Sequence, residues 1–161
     1  MKKTLLTVTL LLTVALERTA SAEQPPQWRD YPVDGNHTQR NAPVQLQTEL
    51  EKAYRTRLSE ASRQKANYAG HYVLTTWGCG TECSVGAAID VTTGKVVWFP
   101  ATICCARNTD ANFEPVIFHF NSRLIVFSGL RNEKEGDDAS HFYSIEGNKF
   151  VFIADIPRSP P

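Results

Sequence analysis

The stretch that decides the fold is His71–Phe99, HYVLTTWGCGTECSVGAAIDVTTGKVVWF. From His71 to Trp77 the side chains alternate, with Val73 and Thr75 opposite Tyr72 and Leu74. A period of two is the pattern of a half-buried strand. Val85, Ala87, Ile89 and Val91 fall on one face of a second strand. Asp90-Val91-Thr92-Thr93-Gly94-Lys95 then turns the chain into Val96–Phe99, a hairpin signal. The unit recurs downstream. Val116–Phe120 and Leu124–Phe127 flank Asn121-Ser122-Arg123, and His141–Ile145 and Phe150–Ala154 flank Glu146-Gly147-Asn148-Lys149. Successive hairpins predict an antiparallel β-meander.

Upstream the period changes. Over Gln45–Ala66, Leu46, Leu50, Ala53/Tyr54, Leu58 and Ala61 recur at three and four residues, the apolar stripe of a helix. Thr48-Glu49-Leu50-Glu51 reads as a capping box at its start. Glu51 precedes Arg55 by four residues, the favourable order for a helical ion pair. Arg55, Arg57, Arg63 and Lys65 make a basic later half that reads as a solvated face. One amphipathic helix packed on the meander gives the expected fold class, α+β, over a single domain at 42–157 with a tail at 158–161. Residues 23–41, with Pro25, Pro26, Pro32 and Gly35, read as an extended segment that Trp28 and Tyr31 pin to the domain.

The chain begins with a basic Met1-Lys2-Lys3, an apolar run from Thr4 to Leu16 and the small-residue site Ala20-Ser21-Ala22. This is the pattern of a signal peptide cleaved after Ala22, and it predicts a periplasmic or secreted product with no integral membrane span in the mature chain. The 17 basic and 17 acidic residues balance, but the leader removes three bases and one acid, so the mature chain is mildly acidic. Nucleic-acid binding, which needs excess Lys and Arg against phosphate, is excluded on that ground. Asn36-His37-Thr38 matches a glycosylation acceptor, a pattern frequent by chance.

An even set of cysteines in an exported chain reads first as disulfides. The set is Cys79, Cys83, Cys104 and Cys105. Pairing Cys79 with Cys83 and Cys104 with Cys105 ranks lower, because adjacent Cα atoms lie only about 3.8 Å apart and the ring between neighbours is strained. The two crosswise pairings remain open. Either closes loops of roughly 20 to 26 residues, worth on the order of 3 kcal/mol. A four-thiolate zinc site and a thiol redox site are the rival readings. Adjacent cysteines suit a tetrahedral ion poorly, and three residues, not two, separate Cys79 from Cys83.

Ala-Gly-His-Tyr-Val at 69–73, Thr-Trp-Gly-Cys-Gly-Thr-x-Cys at 76–83, Ala-Ile-Asp at 88–90 and Thr-Gly-Lys-Val-Val at 93–97 resemble a family of small exported bacterial proteins of uncharacterised function. The resemblance spans roughly Asn67–Phe99. It implies bacterial export and a small β-rich domain, and it carries no activity and no catalytic assignment.

The residues are therefore read by their chemistry. Gly78 and Gly80 flank Cys79 and permit either a tight turn or an anion nest of amide groups with His71, Thr81 and Glu82 nearby. His71, His119 and His141 lie in or beside strands, but none has a second ligand at regular spacing, so each reads as a packed, hydrogen-bonded histidine before a metal ligand. There is no Gly-x-Ser-x-Gly elbow. Cys105 with His71 or His119 is a conceivable thiol–imidazole pair, opposed by oxidation. The Glu133–Asp138 loop reads as a solvated acidic loop partly paired with Arg131 and Lys134, ahead of a calcium site.

No complete catalytic set emerges, and no cofactor is expected. The leading expectation is an exported, non-enzymatic binding module, inhibitor- or immunity-like in one version. It would present loops 77–84 and 129–140 to a protein or envelope ligand, with His71, Trp77, Gly78, Gly80, Thr81 and Glu82 as binding residues. The alternatives are a small periplasmic enzyme using His71 and Glu82 or a free cysteine, and a structural envelope component.

Overall fold

A computed structural model of the chain describes residues 24–35, 40–106, 109 and 112–158. The leader at 1–22 and the Asn36-His37-Thr38 acceptor fall outside these residues. Among the described residues, eight strands form one antiparallel sheet: β1 Tyr72–Gly80, β2 Cys83–Asp90, β3 Val96–Trp98, β4 Ile103–Cys104, β5 Val116–Phe118, β6 Leu124–Arg131, β7 Ala139–Glu146 and β8 Lys149–Pro157. The order is β1-β2-β4-β6-β7-β8, with β3 also on β2 and β5 also on β6.

The expected hairpins are present, but they do not run as a plain meander. β2 is shared: Ala87–Ile89 pair with β3, while Cys83 and Ser84 pair with β4. β6 is shared likewise, between β5 at Ile125–Phe127 and β4 at Leu130–Arg131. The two-residue strand β4 thus ties two half-sheets together. Leu74, Ala88 and Val97 of the first half and Ile125, Phe127 and Tyr143 of the second enter one buried cluster, so the halves face each other across a common core. Gly86 in β2 is needed there, because a side chain would strike the Phe99 ring and the Thr75 carbonyl.

The α+β expectation is overturned. Among the described residues, only α1 Glu49–Ala53 and α2 Arg55–Ala61 are α-helical, so the fold is mostly antiparallel β-sheet. The reason is tertiary. Residues 42–45 run extended and hydrogen-bond through Ala42 N–H to Val91 O and Gln45 N–H to Gly94 O. Pro43 in this segment disfavours a helix there. The Thr48–Glu51 capping box starts α1 as expected. Glu51 Oε2 accepts from the backbone N–H of Gln47 and Thr48, so its carboxylate serves the cap and not Arg55. At Tyr54 the backbone leaves helical geometry (φ −99°, ψ 17°), and the ring packs 5.1 Å from Trp77 and 5.4 Å from Trp98. The apolar stripe reaches the sheet in part: Leu46, Tyr54, Leu58 and Ala61 join the cluster on the outer face of β1 and β2, together with Val44 of the lead-in, whereas Leu50 is exposed. It does so through two short helices and an extended lead-in.

Trp28 and Tyr31 pack on the opposite outer face, against Leu124, Val126 and Phe142. Ser122 Oγ, fully buried, bonds the carbonyls of Trp28 and Tyr31 at 2.8 and 3.1 Å. No helix among the described residues is long and apolar enough to cross a membrane.

Candidate functional site

Cys79 is bonded to Cys83, and the bridge closes the β1–β2 turn. Neither of the crosswise pairings that ring strain had ranked ahead is present. Cys79 is the extra residue of a β-bulge between Gly78, which pairs with Ser84, and Gly80, which pairs with Cys83. The bulge brings the two cysteines to 5.1 Å between Cα atoms, inside the span that a disulfide requires. Glu82 takes a positive φ of 52° to close the turn.

Cys104 and Cys105 are thiols. Cys104 lies directly opposite Cys83 across β2 and β4. Burial, reinforced by the neighbouring Cys105, pushes the Cys104 thiol up to about 11. A thiol that resists ionisation is a poor nucleophile, so Cys104 is no substitute for Cys105 in a thiol–imidazole pair.

These elements meet at a cleft of about 290 Å³. Gly80, Glu82 and Cys83 of the β1–β2 turn, Cys104 and Cys105, and the apolar Phe113 and Pro115 line it. Of the expected binding residues, Gly80 and Glu82 line this cleft, and Gly78 and Thr81 are exposed in the adjoining strand end and turn.

Two residues do not belong to it. Trp77 is buried between Tyr54 and Trp98, with the Arg57 guanidinium over its ring at 5.7 Å, so it is a core residue. His71 precedes β1 at the far end of the hairpin. The register from Tyr72–Asp90 to Gly80–Cys83 separates it from Glu82 by about 25 Å of strand. Its ring stacks 4.3 Å from Tyr72 and faces a different recess, with Asp34, Arg123 and Glu146. The His71/Glu82 pair is therefore not assembled. The anion nest loses His71 as well and keeps the Glu82 carboxylate, which repels anions.

The other histidines do not converge. His119 is exposed beside Trp28 at 4.3 Å, whereas His141 is fully buried. His141 Nε2 bonds the Gly129 carbonyl at 2.7 Å, and Nδ1 lies 2.7 Å from Asp155 Oδ1. Asp137, His141 and Asp155 place ligand atoms within 4.8 Å of one another, as a metal site would. Arg131 fills that role instead: Nε and Nη2 bond Asp137 at 2.8 Å each, and Nη2 bonds Asp155 at 2.6 Å. A guanidinium so held leaves no room for a cation between the carboxylates. Hydrogen bonding from Arg131 outweighs burial and lowers Asp137 to about 2. The acidic loop is thus folded back onto β6 through Arg131, in line with the paired-loop reading.

Sequence reasoning missed this network, because no regular spacing links Arg131, His141 and Asp155. It also missed β4, which is too short for a periodic signal. Comparison with protein-family models, with curated proteins and with solved structures returns no match.

Proposed function

We propose that the protein is an exported, non-enzymatic binding module that takes a protein or envelope ligand at the cleft lined by Cys83, Cys104 and Cys105. The supporting observation is convergence. Gly80, Glu82, Cys83, Cys104 and Cys105, spread over 26 positions of sequence, line one recess together with Phe113 and Pro115. An apolar group of the ligand would pack on Phe113 and Pro115, with Glu82 at the rim setting polarity. The disulfide fixes the turn before binding, which lowers the ordering cost. Export rests on the leader pattern at 1–22.

The test is capture from envelope extract by the immobilised chain and by two variants. Glu82→Arg should abolish capture of the specific partner, and His71→Ala should leave it intact. Equal capture by all three, or a loss with His71→Ala alone, contradicts the cleft as the binding site. A purely structural envelope component would show no dependence on Glu82.

A further inference from the structure

Neighbouring residues of a strand direct their side chains to opposite faces. Cys104 ends β4, so continued strand geometry would carry the Cys105 side chain away from it. Instead Cys105 takes a φ of +56°, a left-handed conformation that costs a non-glycine residue on the order of 1 kcal/mol or more. The two sulfurs then lie 2.6 Å apart. This reversal is braced from behind. Gly129 of β6, at φ +133°, packs so closely that a side chain would strike the Cys104 carbonyl and crowd Ala106. The Gly129 carbonyl is itself held by buried His141 at 2.7 Å. Cys104 is buried, Cys105 is partly exposed, and both face the cleft.

We propose that Cys104 and Cys105 form a reversible two-electron redox site, a vicinal dithiol that closes to a disulfide by exchange with a disulfide-bearing co-reactant. The site stands whether or not the cleft also takes a partner. Cys105, the accessible member, attacks as thiolate on one sulfur of the co-reactant RS–SR. That S–S bond breaks, and one RS⁻ leaves and takes up the proton that Cys105 released. Cys104 then attacks Cys105 Sγ as thiolate. The Cys104–Cys105 bond forms, the second RS⁻ leaves, and it takes up the Cys104 proton. Two thiols thus lose two electrons and two protons, and RS–SR gains both to give two RSH. Burial of Cys104 makes the second step slow at neutral pH, and its rate should rise with alkalinity towards pH 11. The competing exchange is attack of Cys104 on Cys83, its cross-strand neighbour, with release of Cys79.

The test is equilibration of the full chain with mixtures of reduced and oxidised glutathione, acid quench, alkylation and peptide mass mapping. The expected result is interconversion of one peptide between two alkylated thiols and an internal Cys104–Cys105 bond, with Cys79–Cys83 oxidised throughout. The folded chain should close at an oxidant level at least about tenfold lower than the same chain in guanidinium, because the turn is preorganised. Cys104→Ser should trap glutathione on Cys105. Thiols that stay alkylatable at every ratio, a midpoint unchanged in guanidinium, or a Cys83–Cys104 bond would overturn the proposal. The wild-type titration decides by itself should the variant fail to fold.

Discussion

Gly129 lies against the carbonyl of Cys104 at a distance that only a residue without a Cβ permits. The contact joins β6 to β4, and β4 in turn joins the half-sheets. Gly129→Ala would collide with backbone at a positive φ, so both effects act together. We expect a loss of about 2–4 kcal/mol in urea unfolding. Gly147 also has a positive φ, 58°, but open space around its Cβ position. Gly147→Ala should cost only about 1 kcal/mol. Equal losses would mean that conformation, not contact, makes Gly129 necessary.

His141 holds that glycine in place. Its ring sits with no exposure between the Gly129 carbonyl and the Asp155 carboxylate. His141→Ala would leave a cavity and a buried carbonyl without its donor. A loss of about 3 kcal/mol is expected by thermal or urea unfolding. A loss below about 1 kcal/mol would show that the network does not brace the β6 turn.

The Arg131–Asp137 pair predicts an acid limb in stability. Asp137 is lowered to about 2 in the fold, against an ordinary carboxylate value near 4 when unfolded. Between these values the unfolded chain binds the proton and the folded chain does not. The contribution is therefore complete above about pH 4 and is lost as pH falls to 2. Urea midpoints measured from pH 6 to 2 should fall over that window, and less steeply in Asp137→Asn. An identical slope in the variant would remove Asp137 as a contributor.

Trp77 and Glu82 were grouped by sequence, yet the fold gives them different tasks. Trp77→Ala removes a ring packed on Tyr54 and Trp98 and should cost about 3–5 kcal/mol. Glu82→Ala, at an exposed turn, should change stability by less than about 0.5 kcal/mol. Comparable effects of the two would contradict the separation of core from cleft.

The strands β1, β2, β3, β5, β7, β8 and the Leu124–Phe127 half of β6 were legible because alternation and turn residues are local signals. The capping box at Thr48 was legible for the same reason. The helix over 45–66 was not one helix, because its periodicity records which residues face the sheet, and an extended segment followed by two short helices satisfies that demand too. Tyr54 decides the break through its contacts with Trp77 and Trp98, which are distant in sequence. Glu82 and the cysteines were recognised as a dense segment, but their convergence depends on β4, a strand of two residues. The place of His71 at the other end of the hairpin follows from strand length, and it separates two residues that composition alone had joined.

The most direct test of this account is the disulfide map of the purified protein, alkylated without reduction and read by peptide mass. The account predicts Cys79 linked to Cys83 in every molecule, with Cys104 and Cys105 either both alkylated or joined to each other. A bond from Cys79 or Cys83 to Cys104 or Cys105 would contradict it. Such a bond would show that Cys104, which lies opposite Cys83, or Cys105 takes its partner from the β1–β2 turn, and it would remove the vicinal dithiol.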